Sequence, residues 1–253
     1  MTQDKEKRRL KVEIIVYSAI IIFGLVTGSF LNVCISRIPE EESVIFPPSH
    51  CPKCKTRLRP FDLIPVLSYL MLRGRCRYCK EKISMRYPIV EALTALLFLV
   101  FYVKAGFSIY YAALMVFSVL LVLISFIDIE HMIIPDFLML IGIGLGIAYS
   151  IYAGNLTECL VGICFGFLFM FILGEAAKLV MKKEALGDGD IKFMVMLGAN
   201  LGIERTLLSV FGASVLGAAV GITMILLNMI KREDYIPFAP FLALGAVVSI
   251  LIW

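Results

Sequence analysis

Long apolar runs constrain this chain more than any other feature. Stretches at 12–36, 88–104, 108–127, 133–153, 157–181, 205–230 and 237–253 carry almost no charge, and each matches the roughly 17–25 residues that a helix needs to cross a bilayer. A shorter run from Ile191 to Leu201 supplies an eighth. Lipid offers no partner to a backbone N–H or C=O, and a helix satisfies these groups within its own segment. The chain is 60% hydrophobic with a mean hydropathy of +0.92, well above the roughly 45–50% apolar content of soluble domains. The expected fold is an all-α polytopic membrane protein with about eight transmembrane helices.

Charge sets the sidedness, because short loops rich in Lys and Arg stay in the cytoplasm. Segment 37–87 carries eleven such residues, from Arg37 through Lys53, Lys55, Arg57 and Arg59 to Arg86. It is therefore assigned to the cytoplasm. Alternation then puts Lys104 outside, Asp128 to Asp136 inside, Asn155 outside, Lys182 to Lys192 inside, Arg205 outside and Lys231–Arg232 inside. Lys5, Lys7, Arg8, Arg9 and Lys11 oppose this order at the first span, where the heavier loop decides. The first apolar run is too long for the h-region of a cleavable leader. The net charge of +4 sits mainly on the membrane-adjacent loop, so anionic lipid explains it and no nucleic-acid partner is expected.

Segment 37–87 is the one sizeable polar stretch. It holds Cys51-Pro52-Lys53-Cys54 and Cys76-Arg77-Tyr78-Cys79, two CxxC knuckles whose four thiolates can close a tetrahedral zinc site. Sites made of four cysteines are normally closed, so the metal expected is structural rather than catalytic, with His50 as a reserve ligand. Neighbouring Lys53, Lys55, Arg75 and Arg77 favour the thiolate form. A pair of disulfides is the alternative, which a cytoplasmic loop disfavours. Cys34, Cys159 and Cys164 fall in apolar spans and read as small core residues.

Two acid motifs stand at the edges of spans. Asp128 follows Ile124-Ser125-Phe126-Ile127 within an apolar run, and Ile134-Pro135-Asp136 opens the next one, with Pro135 in the first helical turn, where a proline costs no hydrogen bond. An ionisable residue at such a depth marks a functional site. Asp136 reads as an early-turn acid that complements the helix dipole, with Glu130 and His131 as solvated loop residues. The second motif runs Gly187-Asp188-Gly189-Asp190-Ile191-Lys192. Its glycines permit a tight turn and close approach to a substrate chain. Asp188 suits a capping or positioning role, and Asp190 points into the bundle and is assigned the chemistry. Two carboxyl groups brought together from separate helices share one proton, the state an acid–base pair needs to drive water onto a peptide carbonyl.

These residues resemble the bacterial prepilin peptidases, or type IV leader peptidases, which are GxGD aspartyl proteases. The likeness covers nearly the whole chain: Gly28 to Val33 with Arg37-Ile38-Pro39, the two knuckles, Leu72 to Cys76, Ser84 through Arg86-Tyr87-Pro88 to Glu91, and both acid motifs. It implies removal of the leader of type IV prepilins, or of secretion or competence pseudopilins, after a glycine, with Asp128 and Asp190 as the catalytic pair. Gly187, Gly189, Asp188, Lys192, Pro135 and Asp136 would support that site. It also implies methylation of the new amino terminus with S-adenosylmethionine, whose pocket is not readable in the sequence. The implied place is the bacterial cytoplasmic membrane, with the active site near its cytoplasmic face.

The organisation expected is a first transmembrane segment at 1–36, a cytoplasmic zinc-binding module at 37–87 and a transmembrane peptidase core at 88–253. Three other readings stay open: a peptidase that does not methylate, an ion-coupled transporter using Asp128 and Asp190 as a relay, and a zinc-ribbon scaffold that recruits partners. Transporters usually bind near the midplane, whereas both acids lie near one face. The scaffold leaves the paired acids unexplained.

Overall fold

A computed structural model describes residues 2–181, 187–231 and 235–252. Lys182 and Arg232, counted above for sidedness, lie outside the described residues. The chain forms α1 (Thr2–Arg37), a short α2 (Leu67–Met71), α3 (Arg86–Ala105), α4 (Ile109–His131), α5 (Asp136–Ala153), α6 (Leu156–Met181), α7 (Asp188–Leu226) and α8 (Ala239–Ile252). Among the described residues extended pairing is limited to two isolated bridges. Six helices, α1 and α3 to α7, are long and apolar enough to cross a membrane. The chain is a multi-pass membrane protein.

At 1.5 Å per residue, α7 would be about 58 Å long if straight, nearly twice the roughly 30 Å of a hydrocarbon core. It is not straight. Gly202 adopts φ 72° and ψ −175° inside it, a region that only glycine occupies comfortably. The break divides α7 into 188–201 and 203–226, the two separate runs read from the sequence. With the halves of α7 taken separately and α8 added, the apolar helical segments reach the expected eight.

Two compact units make up the chain, Met1–Val122 and Leu123–Trp253. In the first, α1 and α3 meet through Gly24 and Gly28. A Cβ added at Gly24 would stand 2.5 Å from Ala95 Cα, and one at Gly28 would stand 2.6 Å from Glu91 Cα. Lipid tails are as apolar as leucine, so helices associate by such backbone approach and by polar ties rather than by hydrophobic exclusion. The ties are here as well. Asn32 Nδ2 donates to the Tyr87 carbonyl (3.1 Å) and Arg86 Nη2 to Ser36 Oγ (2.7 Å). Buried Arg37 donates to the carbonyls of Ser43 (2.8 Å) and Pro47 (2.7 Å), fixing the chain as it leaves α1.

In the second unit α5 and α6 clasp the first half of α7. Gly162 and Gly198 face one another so closely that a Cβ on either would overlap the other's carbonyl oxygen. A Cβ at Gly146 would stand 2.6 Å from the Ala199 carbonyl oxygen. Asn200 Nδ2 adds a hydrogen bond to the Gly142 carbonyl (2.9 Å).

Three details depart from the sequence reading. α4 continues through His131, so Glu130 and His131 form its last turn and are not loop residues. Pro135 is the residue just before α5, not its first turn. Cys34 and Cys159 are buried as expected, but Cys164 is exposed, because five residues carry it about 140° around α6 from Cys159.

Replacing Gly198 by Leu should destabilise the second unit by about 3 kcal/mol through overpacking. Gly212→Ala, where a Cβ meets nothing within 4 Å, should leave stability unchanged. Thermal unfolding in detergent distinguishes the two, and equal melting temperatures would refute the clasp.

Candidate active site and cysteine module

The two knuckles fold alike. Cys51 N–H donates to the Thr56 carbonyl (3.0 Å) and Lys55 N–H to the Cys51 carbonyl (2.8 Å). In the second knuckle Cys76 N–H donates to the Glu81 carbonyl (2.8 Å) and Lys80 N–H to the Cys76 carbonyl (3.1 Å). Lys55 and Lys80, just after each second cysteine, both take positive φ, 56° and 61°. The repeated turn brings Cys51, Cys54, Cys76 and Cys79 together with all four sulfurs within 4.8 Å of one another. Cys51 Sγ and Cys79 Sγ are 3.8 Å apart, equal to the edge of about 3.8 Å of a tetrahedron with metal–sulfur bonds near 2.3 Å. His50 turns its ring to the Pro48 carbonyl (3.1 Å).

Hydrogen bonds, rather than the neighbouring basic charges expected from the sequence, set the thiols apart. The Thr56 side chain and amide bring the Cys54 thiol down to about 6. The Cys79 and Tyr78 amides lower Cys76. At Cys79 the Glu81 amide pulls downward, but desolvation and the adjoining sulfurs prevail and push the thiol up to about 11. Four sulfurs this close cannot all ionise on their own, which is the situation a divalent cation resolves.

A 3-10 turn, Pro60–Leu63, braces the second knuckle. Arg77 Nε lies 2.6 Å from Asp62 Oδ1, and the side chain of Asp62 is only 3% exposed. Asp62 Oδ2 accepts the Arg59 N–H at 3.1 Å. Burial alone would raise the Asp62 carboxyl, but Arg77 and the Arg59 amide hold it below the usual carboxylate range.

The acid site is built in the second unit. Asp128 stands one turn before the end of α4 and is 7% exposed. Its Oδ2 accepts the N–H of Ala239, the first residue of α8, at 3.1 Å. Asp190 belongs to the first turn of α7, where its N–H donates to the Gly187 carbonyl (3.0 Å). It comes close enough to Asp128 for the two charges to interact.

Other residues lace the two motifs together. Lys192 Nζ lies 2.6 Å from Asp136 Oδ1, linking the first turns of α7 and α5. A Cβ at Gly189 would press within 3.1 Å of Ile134, so the chain before α5 lies directly on the glycine of the second motif. A Cβ at Gly187 would meet Asp190 Oδ2 at 3.6 Å, an ordinary contact. Asp188 is the first residue of α7 and Gly187 is its cap, with no side-chain capping bond. The capping role expected of Asp188 is thus replaced by a first-turn place, where an acid still complements the dipole.

Sequence reasoning missed the Ala239 amide, because a backbone donor has no residue signature. The prolines at 237 and 240 were the available signal, since they mark a helix start. It also passed over Glu91 as chemistry. That acid is 6% exposed in α3, and its Oε2 accepts the Val66 N–H at 2.7 Å.

Comparison with known proteins agrees with this layout. A family model described as the type IV leader peptidase family matches residues 115–222, and one described as the bacterial peptidase A24 N-terminal domain matches residues 22–105. A prepilin leader peptidase/N-methyltransferase of Aeromonas hydrophila is 35% identical over 93% of this chain and 90% of its own length. The chain belongs to the type IV leader peptidase family. Two further members with the same description, from Pseudomonas aeruginosa (35% identical, 91% of this chain and 88% of that one) and Bacillus subtilis (33%, 92% and 93%), span the same extent. No solved structure matches. Both acid motifs of this leader peptidase fall inside the 115–222 match, and the four cysteines fall inside the 22–105 match.

Asp62→Asn should loosen the cysteine module by about 2 kcal/mol, the worth of a charge-assisted hydrogen bond. Amide hydrogen exchange should quicken across residues 50–82 and stay unchanged in α5 to α8. Uniform protection in the variant would remove Asp62 as the brace.

Proposed function

We propose that the chain is a membrane-embedded aspartyl endopeptidase that removes the leader of type IV prepilins or pseudopilins after a glycine, and then methylates the new amino terminus. What supports this reading is that Asp128 and Asp190, from separate helices, lie within electrostatic reach of one another in a chain of the leader peptidase family. It acts in the bacterial cytoplasmic membrane, where a substrate with a short basic leader and an apolar helix offers its scissile bond near the cytoplasmic face.

One carboxyl of the pair is charged and the other holds a proton. The charged one takes a proton from a water lying between them as that water's oxygen bonds to the peptide carbon. The protonated one hydrogen-bonds the carbonyl oxygen as negative charge develops there. Collapse of the tetrahedral intermediate breaks the C–N bond, and a proton passes to the departing amine. The Ala239 N–H occupies Asp128 Oδ2, leaving Oδ1 for this work. Lys192, Asp136, Ile134 and Gly189 keep the two motifs in register, with Pro135 setting the entry to α5 and Gly187 with Asp188 opening α7.

Cys51, Cys54, Cys76 and Cys79 would hold zinc, and their spacing and sulfur donors fit that ion. Zinc there would be structural, supplying much of the folding free energy of a module with little apolar core. The methyl donor would be S-adenosylmethionine. The described residues contain no glycine-rich nucleotide turn, so no side chain is given a part in methyl transfer.

Asp128→Asn and Asp190→Asn should each lower cleavage of a prepilin by at least about 10³-fold while the protein still inserts. Full activity in either variant would break the dyad. Product masses with and without S-adenosylmethionine separate the two activities: an added methyl that depends on the donor supports the second, and its absence restricts the chain to proteolysis. Cys51→Ser should release zinc and leave the spans folded, and unchanged zinc content would remove Cys51 as a ligand.

A further inference from the structure

We infer that residues 60–71 form an interfacial anchor, with which the cysteine module lies on the bilayer and holds anionic phospholipid headgroups. The segment lies outside the spans yet presents Phe61, Leu63, Ile64, Leu67, Leu70 and Met71 as exposed apolar side chains, Met71 at 81% and Phe61 at 74%. Exposure of lipid-facing residues within a span needs no explanation. In a polar module of a multi-pass protein, six large apolar residues left uncovered within a dozen positions do.

The depth of the segment is fixed by a hydrogen bond. Glu91 Oε2 accepts the Val66 N–H at 2.7 Å. Glu91 is five residues into α3, about 7.5 Å along the axis from Arg86, and the span itself begins at Arg86. Val66 is therefore tied to the first turns of α3, the level at which an amphipathic segment beside the span would meet the headgroup and acyl boundary. Val66 has φ 59° and ψ −48°, a strained conformation for a β-branched residue that the carboxylate helps to fix. The strain is kept at the residue where the chain must turn to begin α2.

α2 has two faces. Leu67, Leu70 and Met71 share one of them, by the i, i+3, i+4 spacing of a helix. Tyr69 turns the other way into the module, where its hydroxyl donates to the Ile83 carbonyl (3.4 Å) and its ring lies under Gly74. The outward face is thus apolar while the module's own contacts are made behind it.

Charge names the occupant. Beside the segment, Arg57 and Arg59 line an open cavity of about 330 Å³ together with Pro48, Ser49, Pro60 and Leu63. Two guanidinium groups next to an apolar rim suit a phosphate with acyl chains below it. A soluble protein partner would not need both features at the level of the α3 entry. The inference does not depend on the peptidase reading.

The test uses the full chain in nanodiscs. Trp253, the chain's one tryptophan, is replaced by Phe, and a tryptophan is introduced by Phe61→Trp, Met71→Trp or, as a control at an exposed residue beyond the second knuckle, Lys82→Trp. Phe61→Trp and Met71→Trp should lose about threefold of their emission to lipids brominated at a shallow acyl position, and Lys82→Trp almost none. Phosphatidylglycerol should deepen that quenching relative to pure phosphatidylcholine, and Arg57→Glu with Arg59→Glu should abolish the increment. Emission at the wavelength of water-exposed tryptophan with no bromine quenching would overturn the anchor. So would quenching that appears only when a prepilin is added, which makes the face a substrate dock, or protection from acrylamide without bromine quenching, which makes it a protein contact. If a tryptophan variant fails to reconstitute, amide exchange of residues 60–72 in the unmodified chain reads the same contact. Slower exchange on adding phosphatidylglycerol supports the anchor, and unchanged exchange overturns it.

Discussion

Backbone-to-backbone approach at α6 and α7 is the constraint on which the acid site rests. In lipid, apolar side chains gain nothing by leaving their surroundings, so helices are held by close contact and by polar groups that must find partners. Gly162 and Gly198 allow that contact, Gly146 repeats it with α5, and Asn200 seals it with a bond to the Gly142 carbonyl. The first half of α7 is thereby fixed on two sides. Asp190 stands at the end of that half, so its position follows from a glycine contact about two turns away.

The carboxylates are then oriented by groups of different kinds. Asp128 is held by a main-chain amide at the start of α8, buried with it. The Asp190 turn is held by a surface ion pair and an aliphatic contact, Lys192 with Asp136 and Ile134 on Gly189. Exposed ion pairs contribute roughly 0–1 kcal/mol, so Lys192 and Asp136 do little for stability. Their effect is on register, in keeping with a site whose two halves come from different helix ends.

The apolar runs made the helices legible because lipid imposes a length and a composition at once. The cysteines were legible for a similar reason, since CxxC spacing is dictated by metal geometry, and the four sulfurs do converge. Asp128 and Asp190 stood out because acids are rare in such runs. What escaped was carried by main chain or by rotation about a helix. The Ala239 amide has no letter, the end of α4 lies at His131 rather than before Glu130, Asp188 gave its capping place to Gly187, and Cys164 faces outward from a helix whose Cys159 faces in. Gly202 was read only as the gap between two runs. Its backbone conformation explains why the gap exists.

That break also bears on the lipid around the protein. The half of α7 from 188 to 201 is about 21 Å long, some 9 Å short of an average hydrocarbon core. Such mismatch is relieved by thinning the bilayer locally or by admitting water, at a cost of fractions of a kcal/mol per Å. Around that half, therefore, the barrier to water would be lower than around a full-length span. If Asp128 and Asp190 act as the proposed dyad, such a dimple would be the path of its second reactant.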